Sequence, residues 1–367
     1  MKAISEKELK EITGHFDIRG EAQTVSPLGE GLINDTFLVT TVGDTPDYVL
    51  QRINHNVFRD VEGMQRNIEA VTSHIRKKLS SAGERDIDRK VLKNVEVKDT
   101  GKTYHFDGRN YWRISLFIPD TVTLQEVTPV TARHAGRAFG RFQKMLADME
   151  TTLTESIPDF HNMEFRLTQL DEAVSTDAVG RTAEVKDLLE EIDKRRTIMC
   201  EPERMYREGR IPKRICHCDT KVNNMLFDRN GDVLCVIDLD TVMPSFVFSD
   251  FGDFLRTGAC TAPEDEPDIS RIDFDMAIFN AFAEGYLSEA ASFLTQAELD
   301  WLADSVALFP YMQAVRFLTD YINGDTYYKT RYPEHNLVRT RAQLALLKRI
   351  ESRLPEIKDS INQILFS

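Results

Sequence analysis

The sequence predicts an α+β chain in two lobes, a strand-rich N-terminal third joined by a short connector to a larger, mainly helical remainder. Three observations carry this. Strand and turn signals dominate the first hundred or so residues, helical periodicity dominates from Thr131 onward, and one strand-rich block, Arg214 to Thr241, interrupts the helices. Lobes of such different composition imply a cleft between them, a usual place for a small molecule. The 367 residues suffice for two or three domains at about 150 residues each. With 41% hydrophobic and 29% charged residues, the composition is that of a globular protein and excludes extensive disorder.

The elements follow in order. MKAISEKELKEITGHF reads as an amphipathic helix and lacks the apolar core of a signal peptide. Thr24 to Leu28 and Asp35 to Thr41 alternate as strands around Gly29 and Gly31, then VGDTPD makes a turn into the strand YVLQRIN, Tyr48 to Asn54. Val57, Val61, Met64, Ile68, Val71 and Ile75 recur every three or four residues and predict a helix over Asn56 to Leu79. Lys90 to Val97 and Tyr111 to Ile118 read as two more strands, and the connector falls near Leu116 to Pro119. The lobes are therefore residues 1–117 and 118–367. Ala132 to Met149 and Glu184 to Met199 are helical segments, with several more from Arg271 to the end.

Charge and cysteines narrow the class. Lys and Arg number 46 against 60 Asp and Glu, a net charge of −14, so neither nucleic acid nor an anionic membrane is the expected partner. No apolar run reaches the roughly 18 residues of a membrane span. Five cysteines, Cys200, Cys216, Cys218, Cys235 and Cys260, are an odd number without a disulfide framework. The expectation is a reduced, cytoplasmic, monomeric protein that acts on a small molecule.

The chemistry concentrates in RICHCDTKVNNMLFDRNGDVLCVIDLDT, Arg214 to Thr241. Asn230-Gly231 between two apolar runs predicts a type I′ hairpin. Paired residue numbers then sum to 461, which sets Asp238 opposite Asn223 and beside Asn224. The hairpin so gathers Asp219, Asn224 and Asp238 at one end, an oxygen set suited to a hard cation such as Mg²⁺. His217-x-Asp219 with Asn224 five residues on has the layout of a kinase catalytic loop, in which the Asp accepts the proton of the attacking hydroxyl. Phosphoryl transfer needs this arrangement because it is mostly positioning and neutralisation of phosphate charge. Asp250-Phe251-Gly252 spells a kinase metal motif but lies 31 residues past Asp219, whereas Asp238 lies 19 past it and on the hairpin. The metal is therefore assigned to Asn224 and Asp238. Asp250 and Asp253 are expected to brace the segment after the hairpin. Cys216-His217-Cys218 lacks the second ligand pair of a zinc site.

The nucleotide side is read from the N-terminal third. GEGLIND, Gly29 to Asp35, places Gly29, Gly31 and Asn34 in a turn where backbone can approach phosphates. One strand later Arg52 is the only cation, able to grip phosphate bidentately, with Glu62 and Glu69 on the next helix as candidate partners. At the connector, backbone groups of Phe117 and Ile118 would meet an adenine, so the nucleotide set is Gly29, Gly31, Asn34, Arg52, Phe117 and Ile118. On the acceptor side, Arg316 to Arg339 is dense in polar and aromatic groups. Arg316 and Asp320, four apart, share a helix face, and with Tyr321 and Tyr327 they suit a polyol, although from the residues alone a helix salt bridge and an anchored loop are the preferred reading. His161, between Phe160 and Asn162, reads as a structural contact.

The block from His217 to Asp238, with the glycine turn and strand arginine before it, resembles the aminoglycoside phosphotransferase family of small-molecule kinases. Within that family the chain looks most like the N-acetylhexosamine 1-kinases. The closer match lies in GEGLINDTFLV with YVLQRINHNVF, in IPDFHNMEFR, and in RFLTDYINGDTYYKTRYPEHNLVRTRAQ. The resemblance implies a protein-kinase-like fold and transfer of phosphate from ATP, with Mg²⁺, to the anomeric hydroxyl of GlcNAc or GalNAc. By motif, Asp219 would be the base, Asn224 and Asp238 the metal ligands, and Asp219, Arg316, Asp320, Tyr321 and Tyr327 the acceptor side. Cys218 departs from the family, which often has glycine there, and Arg52 stands where lysine is usual. Rival readings are a kinase of the same fold for an aminoglycoside, choline, homoserine or another sugar, and a nucleotide-binding scaffold without catalysis.

Overall fold

The structure is a computed structural model describing residues 4–29 and 33–366. The chain divides into two compact units. The first joins Met1–Thr123 with Asp148–Pro158 and Met225–Met243; the second joins Leu124–Ala147, Asp159–Asn224 and Pro244–Ser367. Gly31 lies outside the described residues. No described helix is long and apolar enough to cross a membrane.

The first unit is built on an antiparallel sheet in the order Ala22–Pro27, Asp35–Thr41, Tyr48–Ile53, Tyr111–Leu116, His105–Phe106. Leu50 pairs with Ile114, Gln51 with Arg113 and Arg52 with Trp112. Paired residues share a face and neighbours alternate. One face therefore carries Leu50, Trp112 and Ile114, which form a core with Phe16, Val39 and Tyr48, and with Leu9 from the capped helix Glu6–Thr13. Arg52 lies on that face and Arg113 on the other. The segment Lys90 to Val97 is not a strand. It makes two isolated bridges, Asn94 to Ser115 and Phe16 to Val97, because its backbone bonds go alternately to two partners. Val95 N–H reaches Ile114 O, while Glu96 O accepts from Asp17, so no continuous ladder forms. The following helix runs Val61–Ser81, starting later than the apolar spacing suggests because Asp60 caps it by accepting Gly63 N–H.

The hairpin Met225–Phe227 with Val233–Val236 completes this unit. Met225 pairs with Val236 and Leu226 with Cys235, both summing to 461, but Phe227 pairs with Val233. The turn is not type I′. Gly231 alone is left-handed, at φ 86°, and the Asp228 carboxylate accepts Asn230 N–H and Asp232 N–H. Local Asp chemistry thus outweighs the Asn-Gly preference and lengthens the loop by one residue. A bulge between the ladder pairs absorbs the slip and restores the register at Met225.

In the second unit the helices Pro129–Leu146 and Met276–Ala290 pack at backbone contact. A Cβ on Gly136 would stand 2.1 Å from Phe282 O, and one on Gly285 2.0 Å from Arg133 O. The helix expected over Glu184 to Met199 is broken into Thr182–Val185, Lys186–Asp193 and Arg196–Met199. The Arg195 guanidinium takes the Glu191 carbonyl that its own amide would need, and that amide turns to Ile192 O. The long helix Gln296–Ile322 is buried along most of its length and brings Phe309 and Arg316 into this unit.

Gly136→Ala should cost about 1–3 kcal/mol by forcing the two helices apart. Thermal unfolding would show a lower Tm with unchanged far-UV circular dichroism, and an unshifted Tm would remove this role for the glycine.

Candidate active site

The loop after the strand Arg214–Cys216 is held from beneath by one buried carboxylate. Asp250, in the first turn of the helix Phe248–Gly258, accepts His217 N–H through Oδ2 at 2.9 Å and Cys218 N–H through Oδ1 at 2.8 Å. Gln143 Nε2 donates to the same carboxylate at 2.7 Å and is itself bonded by Tyr286. Thr220 closes the loop, its hydroxyl on Asp250 O at 2.8 Å and its N–H on Asp253 Oδ2 at 3.2 Å. Asp253 and Asp250 thus brace the loop before the hairpin, not the segment after it. Burial pushes both carboxyls up, opposed at Asp250 by its donors and at Asp253 by Arg256.

This bracing holds Cys218 at φ 63°, a conformation costing about 1–2 kcal/mol for a residue other than glycine. The Cys216 and Cys218 thiols are buried and pushed well up by that burial. His217 is fully buried, with Phe139 and Phe142 edge-on to its ring, and its Nδ1 accepts Asp219 N–H at 3.3 Å.

Asp219 emerges from this frame with a side chain about a quarter exposed. Lys221 Nζ sits 2.6 Å from Oδ1, and Asn224 Nδ2 donates to Oδ2 at 3.0 Å and to the Asp219 carbonyl at 2.8 Å. Burial works against its charge, but the Lys221 cation and these donors outweigh it and hold the carboxyl below its ordinary value. Both donated bonds fix the Asn224 amide by its nitrogen, so its oxygen is turned away from Asp219 and available to a cation. Lys221 was not among the residues read from the sequence, although its place two positions past the Asp was the visible signal.

In the first unit, Asp240 is the hub. It is buried against the Arg113 guanidinium and accepts Asn34 Nδ2 at 2.7 Å, while Asn34 Oδ1 accepts Asn54 N–H at 2.9 Å. Arg113 also donates to Gln51 Oε1 at 2.9 Å on its own sheet face. Arg52, on the opposite face, pairs with Asp35 across the strands. Glu62 lies near Arg66 and Lys102, and Glu69 accepts the Thr103 hydroxyl, so the strand arginine has its carboxylate on the sheet and not on the helix. The period-two alternation of YWRISL was the signal for Arg113. Asp238 is exposed and left-handed, at φ 58° and ψ 56°, between the hairpin ladder and buried Leu239 and Asp240. Gly29 is exposed at φ 70° with open space around it. Phe117 N–H donates to Asp47 O, and the buried Ile118 accepts the Thr121 hydroxyl at its carbonyl.

The second unit also holds a cavity of about 400 Å³ whose lining includes Arg166, Arg316, Tyr327 and Tyr328. Arg316 lies over the rings of Phe160 and Tyr328, at 5.2 and 5.7 Å. Arg166 donates to Phe160 O and Gln169, and burial with the nearby Arg316 lowers it to about 10. Among the described residues neither arginine makes an ion pair with a carboxylate. Asp320 is consumed in the turn after its helix, accepting Thr326, Tyr327 and Tyr328 N–H and the Asn336 amide. Tyr321 bonds Glu184 and lies under Arg181, whereas Tyr327 is exposed beside Tyr328.

The chain matches the model of the phosphotransferase enzyme family over residues 24–289. Among solved structures, an aminoglycoside phosphotransferase from Alicyclobacillus acidocaldarius aligns over 99% of this chain and 98% of its own, at 11% identity and TM-score 0.62. A choline kinase from Cryptosporidium parvum aligns over 98% and 96%, at 16% identity and TM-score 0.54. A spectinomycin phosphotransferase solved with ADP and spectinomycin aligns over 99% and 100%, at 12% identity and TM-score 0.51. At these identities the likeness is one of fold.

Lys221→Met should raise the pKa of Asp219, because burial then acts without the cation that opposes it. A carboxyl-carbon NMR titration would show Asp219 protonating at higher pH in the variant, and an unchanged titration would remove Lys221 as the cause. In the unaltered protein the lowered pKa contributes stability above about pH 4, and this is lost as pH falls through the folded value.

Proposed function

From the premise that this chain belongs to the phosphotransferase enzyme family, we propose that it transfers the γ-phosphoryl group of ATP to the anomeric hydroxyl of an N-acetylhexosamine, giving the sugar 1-phosphate and ADP. Residues 1–117 would serve as the nucleotide lobe and 118–367 as the catalytic and acceptor lobe. Asp219, kept ionised by Lys221, accepts the hydroxyl proton as the sugar oxygen bonds to phosphorus and the bond to the β-phosphate oxygen breaks. Asn224 and Asp238 have the oxygen chemistry to hold Mg²⁺, which when bound neutralises phosphate charge. On the nucleotide side, Gly29, Gly31, Asn34, Arg52, Phe117 and Ile118 would meet ATP.

The observation that carries the acceptor class is electrostatic. Among the described residues Arg166 and Arg316 stand at the cavity without carboxylate partners, the buried Asp320 there is already saturated by donors, and the other lining carboxylate, Glu172, is exposed. A cavity whose buried acid is already saturated offers no free buried anion to an aminoglycoside or choline and suits a neutral polyol, with the Tyr327 and Tyr328 rings beside it. The sequence resemblance to N-acetylhexosamine 1-kinases agrees with this and supplies the N-acetyl group and the anomeric position.

ADP release with Mg-ATP across GlcNAc, GalNAc, glucose, galactose, kanamycin and choline, with phosphorus NMR of the product, tests the reading. An anomeric phosphate from the N-acetylated sugars is expected, and turnover confined to another acceptor would overturn it. Asp219→Asn should reduce turnover to a few per cent or less with an unchanged Tm; substantial residual activity would exclude Asp219 as base. Asp238→Asn should shift the Mg²⁺ titration to higher concentration.

A further inference from the structure

His161 is packed between aromatic rings and makes no hydrogen bond through its own ring. Its ring stacks on Phe160, centroids 4.4 Å apart and 16° from parallel, and meets Phe309 edge-on at 4.9 Å and 82°. These contacts hold the ring by its faces and edge, so packing alone would be served as well by phenylalanine. Yet Nδ1 is buried with no hydrogen-bond partner, and no described residue bonds to the ring at all. Nε2 is not sealed in this way and also has no protein partner, so one polar atom of the ring is left for a molecule that the chain does not itself supply.

The ring also lies within electrostatic reach of the site. Burial lowers its pKa well below the ordinary value, Arg316, Arg166 and Arg256 add to this, and Asp219 pulls the other way. Through its stack on Phe160, whose ring lies under Arg316 and whose carbonyl accepts Arg166, His161 adjoins the arginines of the acceptor cavity, and it stays uncharged. A neutral imidazole has one donor and one acceptor nitrogen. A buried nitrogen without a partner is more tolerable as a lone pair than as an N–H, since orphaned N–H groups are the rarer defect. The proton is accordingly assigned to Nε2, the nitrogen that is not closed off.

We propose that His161, through Nε2–H, donates a hydrogen bond to an uncharged oxygen of the acceptor, a hydroxyl or an amide carbonyl, and so positions that molecule for Asp219. This rests on the kinase reading above but not on the identity of the sugar. It makes His161 a specificity-determining residue of the acceptor site.

The test uses His161→Phe, which keeps the ring stack and removes the nitrogens, and His161→Gln, which keeps a donor. Steady-state ADP release is measured with whichever member of the acceptor panel the unaltered enzyme turns over fastest. His161→Phe should raise the acceptor KM about tenfold, the equivalent of one hydrogen bond, with the KM for Mg-ATP and the Tm unchanged and partial recovery in His161→Gln. An unchanged acceptor KM, or equal losses toward both substrates, would overturn the proposal. Nitrogen-15 NMR of the unaltered protein is independent of variant folding: the His161 Nε2 resonance should move on titration with the acceptors alone, and no movement with any of them overturns it. Turnover confined to a non-hexosamine acceptor, with these His161 effects intact, would defeat the sugar assignment and leave this one standing.

Discussion

The loop from His217 to Thr220 depends on one buried carboxylate. Asp250 has both oxygens committed to backbone N–H groups of the loop, and a third donor, Gln143, comes from a different helix. Bonds from N–H groups to a carboxylate are stronger than neutral ones, and inside a protein they have no competing water. That is what allows Cys218 to remain left-handed and Asp219 to leave the frame at a defined angle. The glycine contacts between Pro129–Leu146 and Met276–Ala290 serve the same end, since the first helix carries Gln143 and the rings against His217 while the second carries Tyr286.

A second carboxylate organises the sheet unit on the same principle. Asp240 is buried with Arg113 and tied by Asn34 to the backbone at Asn54. Removing one partner of such a pair leaves an uncompensated charge, which costs several kcal/mol, about 3–5. Two positions earlier, Asp238 is exposed where Asp240 is buried, because its left-handed backbone breaks the strand alternation that would put both on one side.

Much of the site was legible because its spacing is local. His217, Asp219 and Asn224 lie within eight residues, and the amide of Asn224 does reach back to the Asp219 carboxylate. The hairpin register at Met225 was also readable, although the turn that produces it was not, since the Asp228 side chain competes with the Asn-Gly preference. Asp320 and Tyr321 carry the right chemistry in sequence, but their polar atoms are consumed in folding the chain around them.

What the sequence by itself determined were properties set by neighbours along the chain: most strands and helices, the α+β division, and the family to which the chain belongs. Only the tertiary structure decided which carboxylate braces the loop, which strand arginine is buried, and that His161 has no partner of its own. The physical reason is distance along the chain. Asp250 meets Cys218 across 32 residues and Asp240 meets Arg113 across 127, and such pairings depend on how whole elements pack.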